Sequence, residues 1–239
     1  MNILACDTST ETMRIFLAIG DEENPFIQFG SRLLDIDGMH SEHLVVQMQQ
    51  LLADFKLTFR EMDLLACTAG PGSFTGLRIG MSALKGISLA GGIPLVSIPT
   101  MDVLAHTVGF FPGAIVPVID ARKHRFYSTV FADGRRQSPD LDCDGAEAGK
   151  LLEGSEMALV TGPDAKAFST QITGYTGKLV VDTQRWRDVG PALIELGLRK
   201  YKEKGADDIG TGPTYVRRSD AEVALQQKIE RMRHEQHND

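Results

Sequence analysis

The sequence predicts an α/β protein built on two sets of strands. Three observations carry this. Short apolar runs alternate with stretches of helical period, in the order β-β-β-α-β-α-β-α over about the first 107 residues. A break follows at Phe110-Phe111-Pro112-Gly113, and a second series of strand-like runs begins at residue 114. The expected division is a first domain over 1–109 and a smaller α/β domain over 110–239, with a last helix at about 219–235 packing back on the first.

The elements follow in order. Residues 2–6 read as a short buried strand, Asp7-Thr8-Ser9-Thr10 as a polar turn, and 13–19 as a second strand. A third covers 26–34, so the chain starts antiparallel. Leu44, Val45, Met48, Leu51, Leu52 and Phe55 then fall at helical spacing, with Ser41 as N-cap and Glu42 in the first turn. A buried strand at 63–69 precedes Gly70-Pro71-Gly72-Ser73-Phe74-Thr75-Gly76-Leu77-Arg78-Ile79-Gly80. Strand, glycine-rich turn and helix start together can present free N–H groups to an anion.

The helix leaving that turn spans about 75–90, with Thr75 as N-cap. Leu77, Met81, Leu84, Ile87 and Ser88 share one face, and Ile79, Ala83, Gly86 and Ala90 form a second stripe of mostly small residues. A helix apolar on most of its circumference is buried on two sides. Gly80 and Gly86 each cost roughly 1 kcal/mol against Ala in a helix interior, which close helix–helix approach would offset. A strand at 94–98 and a short helix capped by Thr100 complete the first set.

In the second set, strands are expected at 114–119, 126–132, 158–161 and 178–181, with a turn at Asp133-Gly134 and a polar loop over 138–145. Helices are expected at 164–171 and from Val189 to near Gly205. Ser219-Asp220-Ala221-Glu222 is a capping box for the last one. No internal repeat is visible.

Composition narrows the function. A hydrophobic fraction of 42% supports a real core, and a net charge of −7 argues against a general basic surface for nucleic acid. No apolar run reaches the roughly 18–20 residues needed to cross a bilayer, and the first residues lack signal-peptide features. Cys6, Cys67 and Cys143 have no CxxC spacing and are expected as buried reduced thiols of a cytoplasmic protein.

Five segments, in order, resemble the TsaB (YeaZ) family. They are the opening Ile3-Leu4-Ala5-Cys6-Asp7-Thr8-Ser9-Thr10, then His40-Ser41-Glu42, then the signature of Gly70, Pro71, Gly72, Ser73, Phe74, Thr75, Gly76 and Arg78. Asp120-Ala121-Arg122 with Tyr127, and Pro213-Thr214-Tyr215-Val216-Arg217 with Ala221-Glu222, complete the set; residues 133–210 contribute little. The resemblance implies an ASKHA fold (actin, Hsp70, sugar kinase; ribonuclease H-like) of two similar α/β domains. It implies a cytoplasmic role in making N6-threonylcarbamoyladenosine at adenosine 37 of tRNAs that read codons beginning with A. In that family the transfer chemistry belongs to the paralogue TsaD, with an ATPase, TsaE. The TsaB-like chain is a non-catalytic supporting subunit that pairs with TsaD, or with itself, through helices of the first domain. Val46, Gln50, Ile79, Ser82, Ala83, Gly86 and Ala90 are the expected interface residues. tRNA is met only through the complex, and no cofactor, metal or membrane is expected.

The residues bear on other chemistries as well. ASKHA enzymes hold phosphates between two glycine-containing turns, usually beside a metal-binding Asp. Here the turns are Asp7-Thr8-Ser9-Thr10 and Asp120-Ala121-Arg122-Lys123, without glycine. Asp7, Asp120 and Gly162 are therefore weak candidates for residual nucleotide contact, the carboxylates being expected to cap turns. The glycine run lacks the Lys-Ser/Thr of a Walker A loop. An enzyme with its own ATPase or small-metabolite kinase activity is the alternative. A metal-dependent hydrolase is a third reading, resting on His40 with His43 or Asp102 with His106; neither pair supplies the third ligand. Ser73 and Thr75 do not sit in GxSxG. Arg122, Lys123, His124 and Arg125 beside Phe126 and Tyr127, and the pair Arg217 and Arg218, are basic clusters, the first expected as a solvated turn.

Overall fold

The computed structural model describes residues 1–21, 23–35, 39–184 and 187–217. The capping box at Ser219, the helix expected after it, and Arg218, Ala221 and Glu222 lie outside the described residues.

The first sheet is a meander extended by parallel strands. Strands β1 (Asn2–Asp7), β2 (Thr12–Ile19) and β3 (Gln28–Asp35) are antiparallel neighbours, with Asp7 opposite Arg14 and Ile19 opposite Gln28. Strand β4 (Leu64–Gly70) adds to β1 in parallel, and β5 (Leu95–Pro99) adds to β4, giving the order β3-β2-β1-β4-β5. Helices α1 (His40–Asp54) and α2 (Phe74–Gly91) cover one face. There Leu44, Met48, Leu51, Met81 and Leu84 meet Leu4, Met13, Ile15, Leu17 and Leu65. Leu84 is fully buried. Leu84→Ala is expected to cost about 2–5 kcal/mol, as a drop in the urea midpoint at unchanged slope.

The second set repeats this plan. Strands β6 (Ala114–Arg122), β7 (Arg125–Ser128) and β10 (Leu141–Cys143) are antiparallel neighbours, and β11 (Met157–Thr161) and β12 (Lys178–Val181) extend β6 in parallel. The order β10-β7-β6-β11-β12 is that of the first sheet, strand for strand. The duplication lives in topology and is invisible in residue identity. A side hairpin, β8 (Phe131–Ala132) with β9 (Arg135–Arg136), turns on Asp133 and Gly134, both at positive φ as a two-residue hairpin loop requires. The strand expected over 126–132 is thus two strands.

Alternation along β6 joins the halves. Val116 and Val118 face a core with Phe126, Val160 and Phe168; Ile115 and Ile119 face the other way. They meet α3 (Thr100–His106) and α6 (Gly190–Lys204), which pack on the inner face of the first sheet through Met101, Leu104, Leu193 and Ile194. Helix α6, which the sequence division placed with the second domain, packs against β4, β5 and β1. Helices α4 (Gly145–Leu151) and α5 (Ala165–Ser169) cover the far face of the second sheet.

The loop expected over 138–145 instead holds β10 and the start of α4, which Asp144 and Glu147 cap reciprocally. Gly145 and Gly149 hide α4 in the sequence by lowering its propensity. Both are needed, because a Cβ would lie 2.0 Å from the Gln171 carbonyl oxygen and 1.9 Å from that of Thr173.

Candidate functional site: a closed cleft and an open helix face

Two surfaces carry the residues singled out by the sequence. The first is a cleft of about 550 Å³ between the domains, lined by the β1–β2 turn, the β6–β7 turn, the glycine run, Pro163, Asp164, Tyr215 and Arg217.

The glycine run closes on the chain's own first turn. The Ser73 N–H donates to the Ser9 carbonyl at 2.6 Å. A Cβ on Gly72 would lie 2.4 Å from the Ser9 carbonyl oxygen, and one on Gly76 2.1 Å from that of Thr8. One on Gly80 would lie 2.2 Å from Thr8 Oγ1. Gly76 and Gly80, four apart on one helix face, let α2 touch the turn, and Gly72, the residue before its cap, does the same. Ser73, not Thr75, caps the helix, its Oγ accepting from Gly76 N at 3.2 Å. Ser41 likewise lies inside α1, whose N-cap is Met39. Thr100 is the first residue of α3 rather than its cap, and its hydroxyl accepts from Gly70 N.

The acidic residues of both turns are engaged. Asp7 Oδ1 accepts from Ser9 N at 3.0 Å, Ser9 Oγ at 2.6 Å and Thr68 Oγ1 at 2.9 Å, and Oδ2 accepts from Arg14 at 2.8 Å. Asp120 Oδ1 accepts from Arg122 N, and Asp164 accepts from Asp120 N at 2.8 Å. Arg122 reaches across the cleft to Glu11. These residues do not fit a metal–nucleotide pair: both Asp7 oxygens are taken by the chain's own donors, and at the second turn Asp120 Oδ1 is taken by Arg122 N while the Arg122 side chain spans the cleft to Glu11. Gly162, at φ 109°, serves packing: a Cβ there would lie 2.3 Å from the Val118 carbonyl oxygen.

The remaining candidates separate. His40 is buried, hydrogen-bonded to the Thr10 backbone, and held neutral by burial, which lowers its pKa; its Nε2 has no partner among the described residues. Asp102 pairs with Arg136 of β9 and His106 with Glu195 of α6, so the two face different neighbours. No three His, Cys, Asp or Glu residues gather as a metal site among the described residues. In the basic turn Arg122 is paired with Glu11, and Arg125 with Asp142 and Glu147; Arg217 lies 3.8 Å from Asp142. Burial raises all three thiols, Cys67 and Cys143 to about 12, so they are inert.

A strap that the sequence gives no sign of binds the cleft to α2. After α6 the chain runs back over the first domain. Asp207 accepts from Ser97 N and Oγ and pairs with Lys200 at 2.5 Å. Lys85 Nζ holds the carbonyls of Ile209 and Thr211. Thr214 N donates to Ala69, and the Thr214 carbonyl occupies the space a Cβ on Gly70 would need. Arg78 Nε donates to the Tyr215 hydroxyl at 2.9 Å while its guanidinium lies 3.9 Å from the Phe74 ring centre. Two motifs far apart in sequence therefore meet, and Arg78 is their joint.

Burial alone would raise the Asp207 carboxyl, but hydrogen bonds from Lys200 and Ser97, with the Lys200 charge, leave it below its ordinary value. A depressed carboxylate stabilises above its unfolded pKa and loses that contribution as pH falls through the folded one. The strap is expected to hold at neutral pH and to loosen in acid below about pH 4, seen as faster amide exchange at Ser97 after correction for intrinsic rates.

The second surface is the outer side of α2. Gly86 and Ala90 are exposed, Ile79, Ala83 and Ile87 half-buried, and Ser82 exposed. With Phe59, Arg60, Gly91 and Ile93 they line an open, mainly apolar groove of about 770 Å³ (Ile79 and Ser82 excepted). Leu89 is 70% exposed, and Val46 and Gln50 lie exposed on α1. Among the described residues nothing lies within 4 Å of a Cβ built on Gly86, so they give no reason for a glycine there.

Two ribonuclease H-like domains in tandem, with a turn of each facing one cleft, define the ASKHA class; this member has both turns closed by its own side chains. The TsaB protein of Escherichia coli is 30% identical over 193 residues, covering 80% of this chain and 75% of that one. The chain belongs to the TsaB (YeaZ) family. The Bacillus subtilis protein named tRNA threonylcarbamoyladenosine biosynthesis protein TsaB is 27% identical over 229 residues, covering 93% of this chain and 97% of that one. The family model of TsaD, tRNA N6-adenosine threonylcarbamoyltransferase, matches residues 37–142. The solved structure of YeaZ from Pseudomonas aeruginosa superposes with a TM-score of 0.73 at 19% identity, over 90% of this chain and 99% of that one, and supports the fold. No helix of the described residues is long and apolar enough to cross a membrane.

Proposed function

We propose that this chain is a non-catalytic cytoplasmic subunit for threonylcarbamoyl transfer to adenosine 37 of tRNA. It docks a TsaD-like enzyme on the outer face of α2 and works with a TsaE-like ATPase through the complex. Membership of the TsaB family supports the pathway. One observation carries the docking: α2 is an element of the first core on one side and presents small, open residues on the other. A second copy of the chain covers the same face when the enzyme is absent. The closed turns support the non-catalytic part, since both Asp7 oxygens and Asp120 Oδ1 accept hydrogen bonds from within the chain. tRNA is met through the complex, because the arginines of the β6–β7 turn are paired with acids.

The test is reconstitution. Purified TsaD-like and TsaE-like proteins, an activated threonylcarbamoyl donor and tRNA are incubated with and without this chain, and modified nucleoside is counted after digestion. Modification is expected only when the chain is present. Equal yield without it overturns the proposal, as does ATP turnover by the chain alone at enzymatic rates.

A further inference from the structure

We infer that the groove on α2 is made for an acidic partner surface: Arg60, at its wall, pairs with a carboxylate of the docked enzyme and so sorts that enzyme from a second copy of this chain. This rests on the docking reading above and adds the chemistry of what docks.

Charge around the groove is mostly of one sign. Arg60 stands in the short turn that joins α1 to β4, exposed, and among the described residues it is the one charged side chain in the groove lining and forms no ion pair. The acids beside it in sequence are engaged elsewhere. Glu61 Oε2 accepts from Thr58 N and Oγ1, and Asp63 Oδ2 accepts from Asn2 N at 2.7 Å. Helix α2 itself carries no acid; its charged residues are Arg78 and Lys85. Lys85 is held by strap carbonyls, and Arg78 by the Tyr215 hydroxyl and the Phe74 ring. These neutral groups fix the side chains without cancelling their charge. Asp208 shares a small cavity with Lys85 and offsets part of it. In a chain of net charge −7, the face is locally cationic.

Docking removes water from Arg60. A guanidinium desolvated at the wall of an apolar groove is costly unless a carboxylate meets it, and its planar fork suits one. What docks must bring that carboxylate. A second copy cannot bring it from α2 or from the groove lining, which hold none among the described residues. The acid it could offer is Glu42, exposed one turn before Val46 on α1. Glu42 lies in the first turn of α1, where the helix N-terminus already favours its charge. A second copy is therefore held by apolar contact with like charges near one another, and is the weaker occupant. An enzyme with an acidic residue opposite Arg60 is the stronger.

The experiment compares wild type, Arg60→Gln and Arg60→Glu as full chains, with thermal melts to check folding. Stopped-flow association with the purified TsaD-like enzyme is read at low salt and at about 1 M salt, where charges are screened beyond about 3 Å. Self-association is read by sedimentation, with Glu42→Gln added. At low salt Arg60→Glu should slow association with the enzyme about tenfold, and Arg60→Gln by less. The difference should close at high salt. Self-association should not fall in Arg60→Glu or in Glu42→Gln. If Arg60→Glu melts below wild type, Arg60→Gln carries the comparison. Association as fast as wild type in both Arg60 variants at low salt overturns the inference and leaves the docking reading intact. So does a loss that persists at high salt, which marks lost packing and not lost charge. Self-association that falls with Arg60→Glu or with Glu42→Gln makes the second copy the acidic partner and overturns it too. Enzyme binding that Gly86→Arg leaves untouched removes the groove from the interface, and the docking reading then falls together with this one.

Discussion

Replacing Gly86 with arginine is expected to make the isolated chain slightly more stable and to abolish its support of tRNA modification. The two effects have separate causes. Gly86 lies inside α2, and a Cβ there meets nothing within 4 Å among the described residues. Exchanging a helix-interior glycine for a good helix former gains about 0.5–1 kcal/mol, a rise of about 2 °C in Tm for a chain of this size. The same side chain would project from the lining of the groove that Gly86 shares with Ala83, Ile87, Ala90 and Phe59. A charged, bulky residue set into an apolar docking face costs about 2 kcal/mol or more, a loss of about thirtyfold or more in affinity. Calorimetry against the TsaD-like partner measures the loss, and a thermal melt measures the gain. A variant that melts higher and binds the partner as wild type does would remove α2 from the interface. Ser82→Arg, on the flank, should weaken association far less, since rim positions contribute little to binding energy.

The fold was legible where local pattern and tertiary use agree. Leu44, Met48, Leu51 and Leu52 announce α1 by spacing and are the residues it buries. The two faces of α2 were readable in the same way, and the structure buries Leu77, Met81 and Leu84 while leaving Gly86 and Ala90 open. What stayed hidden depends on contacts between distant segments. Helix α4 carries two glycines because the 171–173 backbone passes against it, so its propensity argues against the helix that forms. Helix α6 has an ordinary amphipathic pattern that does not say which sheet it covers; it covers the first.

The cleft shows the same limit more sharply. Missing glycines at the two phosphate turns were visible in the sequence, but what closes the turns was not. Arg14 sits in a strand pattern and looks outward-facing, yet it is buried against Asp7 because the register places the two side by side. By helical spacing Arg78 falls between the two apolar stripes of α2, a position that needs no partner. It holds Tyr215, and through it the strap that brings Arg217 to the cleft wall. A basic residue in a helix gives no sign of a partner 137 positions away.

Alanine at three glycines of α2 should give three different results, and the contrast decides what the glycine run is for. At Gly76 the new Cβ lies 2.1 Å from the Thr8 carbonyl oxygen, a backbone atom held between β1 and its turn. Relief requires the helix or the turn to move, so Gly76→Ala is expected to cost about 1–3 kcal/mol or more. At Gly80 the obstacle is Thr8 Oγ1 at 2.2 Å, the end of a buried side chain, so the cost should be smaller but of the same sign. At Gly86 the sign reverses, with a gain of up to about 1 kcal/mol from helix propensity. Urea unfolding of the three variants checks the order. The substitution and the helix are constant, so only what each Cβ meets differs. If Gly76→Ala proved as harmless as Gly86→Ala, the turn would not need glycine for its own packing. The run would then have to be kept open for something outside the chain, and a phosphate at the helix start would return as its explanation.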